Sequence, residues 1–224
     1  MSNHPISNPA VDAETTRTLG VVTLAVFVVL VISGWQPYDR STWFMEVAPV
    51  FVVFPLLWAT RQRFPLTQLL MLLIGLHAVV LIVGGMYSYA RVPLGFYLAD
   101  WLHLSRNPYD KIGHFAQGFV PALAAREILL RGGHVRGPRM SAFLVVCVAL
   151  AFSATYEMVE WAVALVLGHG ADEFLGTQGD VWDTQSDMFF ALIGAFAALV
   201  TLPRVHDRQM QALQSQRRRE PAVG

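Results

Sequence analysis

With a single cysteine, Cys147, in 224 residues, the chain can form neither an internal disulfide nor a multi-cysteine metal site. Charge is scarce as well: Asp, Glu, Lys and Arg make up 14% of the residues, too little to clothe a soluble domain of this length. Sixteen basic residues balance sixteen acidic ones, so nothing in the net charge points to nucleic acid. Three motifs are missing: a Gly-rich phosphate loop, Gly-x-Ser-x-Gly and His-Glu-x-x-His, which removes the enzyme classes built on them. No internal repeat is evident, which argues against the transporter folds assembled from repeats. The length leaves no room for a second, soluble domain.

What the chain has instead is apolar sequence. Hydrophobic residues make up 54% and the mean hydropathy is +0.46. A membrane-spanning helix needs about 20 mostly apolar residues, and the sequence predicts six, giving an all-α, polytopic six-helix bundle. They run over about Leu19–Gly34, Trp43–Thr60, Leu66–Met86, Tyr109–Leu130, Met140–Leu167 and Trp182–Leu202. The second contains Glu46, Pro49 and Pro55, and the fourth carries His114, Gln117, Pro121, Arg126 and Glu127, a poor surface for lipid. The first reads as an uncleaved span, because only Arg17 precedes it and no small-x-small cleavage site follows before Trp35. Residues 1–18 are expected to be a disordered cytoplasmic arm, 19–203 the transmembrane domain, and 204–224 a solvated, disordered basic tail.

Lys and Arg accumulate on the cytoplasmic side of membrane proteins. With both termini inside, twelve basic residues fall inside and only Arg40, Arg91, Arg106 and Lys111 outside. The loop with Asp172, Glu173 and Asp180 is then outside. Trp35, Trp43, Trp101, Trp161 and Trp182 fall near the outer boundary, where amphipathic rings sit among headgroups. The run Arg217-Arg218-Arg219 suits anionic cytoplasmic lipid.

In that orientation three helices bring acids to the outer half. Asp110 and His114 are four apart with Gln117 a turn on, Glu157 and Glu160 three apart, and Asp180, Asp183 and Asp187 spaced by three and four. Each set therefore shares a helix face. The fifth span, about 28 residues or roughly 42 Å, exceeds the bilayer core and must tilt or protrude. A carboxylate facing lipid costs about 2.5 to 3.5 kcal/mol at mid-membrane, so the three stripes are expected to face one another.

Acids in one pocket repel. Lys111, next to Asp110, is expected to point elsewhere and cannot neutralise them all. A divalent cation could, and carboxylates with one imidazole suit Mg²⁺, Mn²⁺ or Zn²⁺. The expected metal ligands are Asp110, His114, Glu157, Asp183 and Asp187, with Glu157 or His114 as catalytic base. Glu160, Asp180 and Glu46 could join the site or be interfacial, and His77 reads as a satisfied packing residue.

The stretches Tyr109-Asp110-Lys111-Ile112-Gly113-His114-Phe115, Tyr156-Glu157-Met158-Val159-Glu160-Trp161 and Gln178 to Met188 resemble the YjdF-like family of bacterial inner-membrane proteins. That resemblance implies localisation in a bacterial inner membrane and carries no activity with it. More distantly, the chain is similar to VanZ-like proteins, a group linked with glycopeptide-antibiotic resistance. Asp110, Lys111 and His114 fit an Asp-Lys-x-x-His pattern, Glu157 a Glu-x-x-Gln with Glu160 in place of Gln, and Asp183 a final Asp-x-x-x-Asn with Asp187 in place of Asn. Gly194 fits the second glycine of that last pattern, whereas Phe190 departs from the first.

Three functions follow as expectations. One is a divalent-metal-dependent enzyme acting on a lipid-linked or phosphate-bearing substrate at the outer leaflet. A second is a proton- or cation-coupled transporter. The third is a structural or assembly protein whose polar core only binds helices together, at about 0.6 to 2 kcal/mol per contact.

Overall fold

A computed structural model describes residues 9–167 and 177–218; Asp172, Glu173 and Arg219 lie outside them. Among the described residues there are eight helices and no strand. They are α1 (Pro9–Trp35), α2 (Arg40–Thr60), α3 (Gln68–Tyr87), α4 (Pro93–Leu102), α5 (Tyr109–Arg131), α6 (Pro138–Leu167), α7 (Asp183–Thr201) and α8 (Pro203–Arg218). Helices α1, α2, α3, α6 and α7 are long and apolar enough to cross a membrane. The sixth expected span, α5, has 23 residues, or roughly 35 Å of helix, but too much polar sequence to meet that criterion. Its position accounts for this: α5 packs against α3, α6 and α7, so the bundle rather than lipid surrounds its polar faces.

Local chemistry sets the ends of these helices. The Asp39 carboxylate accepts from the Thr42 N–H at 2.7 Å to start α2, and the Thr67 hydroxyl caps α3. Helix α3 stops where Ser88 and Tyr89 enter the left-handed region, at φ 53° and 44°. That turn folds the Tyr89 ring back over α3 and the first turns of α5. A Cβ on Gly84 or Gly113 would strike the ring, so neither position has room for a side chain.

The contact between α5 and α7 is a backbone approach. A Cβ on Gly118 would collide with the Ala191 carbonyl, and one on Gly194 with that of Phe115. Small residues are how membrane helices gain close packing where no hydrophobic force drives them together. Beside this contact lies an apolar core of Leu70, Val120, Leu123, Val145, Ala149 and Ala195.

Three expectations are corrected. Residues 9–18, expected to be disordered, are the first turns of α1. Residues 204–218 of the tail, expected to be disordered, lie in α8, which buries His206, Met210 and Leu213. Those residues recur at i, i+4 and i+7, a stripe that the polar composition of the tail conceals. Trp43 is not a boundary anchor: it is 9% exposed, lies against Gly34, and donates from Nε1 to Ser33 Oγ at 3.0 Å. Trp35, Trp101, Trp161 and Trp182 are exposed.

Candidate functional site

The outward-expected ends of α5 and α7 hold the site. Asp110, Lys111 and His114 occupy the first two turns of α5, and Asp183 and Asp187 the first two of α7. Because the two backbones are in contact one turn deeper, these short polar segments face each other closely. Lys111, expected to point away, lies in the middle of them. Its Nζ is 2.5 Å from Asp187 Oδ1, 2.7 Å from Asp183 Oδ1 and 3.5 Å from Asp110 Oδ2. Lys111 is turned about 100° from Asp110 around α5, and that direction is where α7 lies.

Arg106, in the loop before α5, adds a second cation. It reaches Asp183 Oδ1 at 2.9 Å, Asp180 at 3.0 Å and the Thr177 carbonyl at 2.9 Å. Asp183 is thereby held by two cations, and neither it nor Glu157 is among the expected ligands whose donor atoms converge.

Asp110, His114 and Asp187 do converge. One donor atom from each lies within 4.8 Å of the others. His114 Nε2 is 3.4 Å from Asp110 Oδ1 and 3.7 Å from Asp187 Oδ1. The other ring nitrogen, Nδ1, is 3.1 Å from Gln117 Oε1 and 3.6 Å from Glu157 Oε1. With the proton on Nδ1 donated to Gln117, the Nε2 lone pair points at the two aspartates, the tautomer that a metal-binding histidine uses. Glu157 Oε1 is buried and has no hydrogen-bond partner. A buried carboxylate oxygen left so is costly, and its place beside the triad marks where a further polar group would fit.

The polar region extends beyond these residues. Glu46 of α2 is buried, and its Oε2 accepts from the Tyr156 hydroxyl at 2.8 Å. Glu160 is half-buried one turn beyond Glu157 and feels the charges of both Glu46 and Glu157. Tyr89 interacts with Glu46, and burial first, then that neighbouring carboxylate, pushes its phenol well above the ordinary range. His77 is corrected in one respect: its Nε2 is buried without a hydrogen-bond partner, so it is not a satisfied packing residue.

A second polar cluster lies at the opposite end of α5. Glu127, fully buried, accepts from the Thr67 N–H at 2.9 Å and the Thr67 hydroxyl at 2.7 Å, and pairs with Arg131. His206 Nε2 of α8 is 2.8 Å from its other oxygen. Arg126 meets Asp207 at 2.8 Å, and Gln209 Oε1 accepts from the Leu69 N–H. Sequence offered one hint of this: Glu127 and Arg131 at i, i+4 in a span too polar for lipid.

Residues 18–208 match a family described as "Predicted membrane protein (DUF2238)". The inner membrane protein YjdF of Escherichia coli (strain K12) is 59% identical over 201 residues, covering 88% of this chain and 96% of that protein. No solved structure matches.

Proposed function

This chain belongs to the predicted membrane protein family DUF2238, and we propose that it is a membrane-embedded enzyme with a divalent cation held by Asp110, His114 and Asp187. It is an integral membrane protein similar to an inner-membrane relative, and it sits in a lipid bilayer. The observation that carries the proposal is the convergence of two carboxylates and one imidazole where the first turns of α5 and α7 meet. Their chemistry fits Mg²⁺, Mn²⁺ or Zn²⁺.

Bound there, the ion would polarise a phosphoryl or carbonyl oxygen or lower the pKa of a water. The chain's own groups divide the remaining work. Gln117 fixes the His114 ring through Nδ1. Glu157, with Oε1 unpartnered, is the group placed to take a proton from whatever enters beside His114. Lys111 and Arg106 hold Asp183 in place beside the triad. Both termini in the cytoplasm put this site in the outer half of a bacterial inner membrane, within reach of a lipid-linked or phosphate-bearing substrate.

A second reading is favoured by Lys111. Its ammonium neutralises Asp183 and Asp187 without any metal, which suits a proton- or cation-coupled transporter using His114, Glu157 and Glu46 as its polar route. Elemental analysis of the detergent-purified protein separates the two. The enzyme reading expects one divalent ion per chain, lost in folded Asp110→Asn and Asp187→Asn variants and kept in Asp183→Asn. Metal-free wild-type protein whose stability ignores chelation, together with pH-driven cation flux in proteoliposomes abolished by Glu157→Gln, would select the transporter.

A further inference from the structure

Between the two spans α3 and α5 lies an element that the spans do not explain, the ten-residue helix α4. At roughly 15 Å it is too short to cross a bilayer core. One face is seated: Val92, Gly95 and Ala99 are buried, and Gly95 lies against the Asn107 side chain, where a Cβ would collide. Asn107 Nδ2 donates to the Val92 carbonyl at 2.9 Å, and the helix closes at His103, whose N–H reaches the last carbonyls from the left-handed region. The opposite face is bare. Leu94, Tyr97 and Trp101 recur at i, i+3 and i+7, with Tyr97 74% and Trp101 76% exposed.

We propose that α4 is an interfacial helix, lying along the membrane surface on the side of the Asp110 site with Leu94, Tyr97 and Trp101 immersed at the boundary of headgroups and acyl chains. Chain continuity confines the helix to that boundary. Five residues connect it to the end of α3 and six to the start of α5, and the Tyr89 ring lies against both Gly84 of α3 and Gly113 of α5, so those two ends are on the same side of the bundle. Tyr and Trp are the residues that this layer favours, apolar in body and polar at the tip. The exposed Asp100 is turned about 60° from Tyr97, about 100° from Trp101 and about 120° from Leu94, which puts its carboxylate at the margin of the stripe, next to the exposed Phe96.

The consequence reaches the site without depending on what it binds. The segment after α4 carries Arg106, which holds Asp183, and Asn107, whose N–H and carbonyl exchange hydrogen bonds with Gln178 at 3.1 Å each. A lipid-anchored α4 therefore fixes the strap over the first turns of α5 and α7.

Spin labels test this in proteoliposomes of the full chain, in a Cys147→Ser background with Leu94→Cys, Tyr97→Cys, Trp101→Cys and, at the margin of the stripe, Asp100→Cys. At 94, 97 and 101 the collision rate with oxygen should exceed that with a water-soluble nickel complex, and at 100 the order should invert. Three stripe positions guard against one variant that fails to fold. A higher nickel than oxygen rate along the stripe would overturn the proposal. So would protection from both reagents, or dipolar broadening between labels, the mark of a second copy seated on α4.

Discussion

Lys111 Nζ stands 2.5 Å from Asp187 Oδ1 and 2.7 Å from Asp183 Oδ1, so the only lysine of the chain bridges the two acids of a neighbouring helix. These side chains are between 4% and 11% exposed, which makes the contact a nearly buried charge cluster. Removing one partner from such a cluster leaves the others uncompensated.

Lys111→Met should therefore destabilise the protein by about 3 kcal/mol, read by denaturant unfolding in detergent. If the triad binds a divalent ion, added Mg²⁺, Mn²⁺ or Zn²⁺ should recover part of the loss, because the ion takes up charge that the ammonium had balanced. Unchanged stability in Lys111→Met would contradict the bridging role.

At the other end of α5, Glu127→Gln should cost about 3 kcal/mol, since it strips the charge shared by Arg131 and His206. His206→Ala should cost less, about 2 kcal/mol, because Thr67 and Arg131 remain on the carboxylate. Both should loosen α8. Limited proteolysis should cut the 203–218 segment several-fold faster in the variants than in the wild type.

The α5–α7 approach predicts a contrast between glycines. Gly118→Val should lower stability by about 3 kcal/mol or abolish monodisperse protein, as backbone stands where the side chain must go. Gly20→Ala in α1, where a Cβ meets nothing within 4 Å, should be neutral or stabilising by up to about 1 kcal/mol. Thermal unfolding followed by size-exclusion chromatography reads both.

Membrane orientation is open to cysteine labelling in the Cys147→Ser background. Ser215→Cys, exposed on α8, should resist an impermeant maleimide in intact cells and react after permeabilisation. His103→Cys, exposed after α4, should react in intact cells. The reverse pattern would invert the arginine-based topology and move the Asp110 site to the cytoplasmic half.

Sequence alone was enough for the architecture, because the properties that define it are local. A span is announced by consecutive apolar residues, and a shared face by spacings of three and four. Asp110 with His114, and Asp183 with Asp187, could be assigned to common faces without knowing their neighbours. The interfacial α4 and the docked α8 escaped for a related reason: one is too short, and the other too polar overall, to stand out by composition.

Which charges meet was decided only by tertiary structure. The spacing of α5 held no sign that Lys111 would reach α7, or that Arg106 would join it on Asp183 and leave Asp110, His114 and Asp187 as the convergent set. Nor did it link Glu127 to His206, 79 residues away. Helical periodicity fixes the direction of a side chain relative to its own axis. The partner it finds there depends on how close two backbones come, and here that distance was set by Gly118 and Gly194, residues that carry no charge at all.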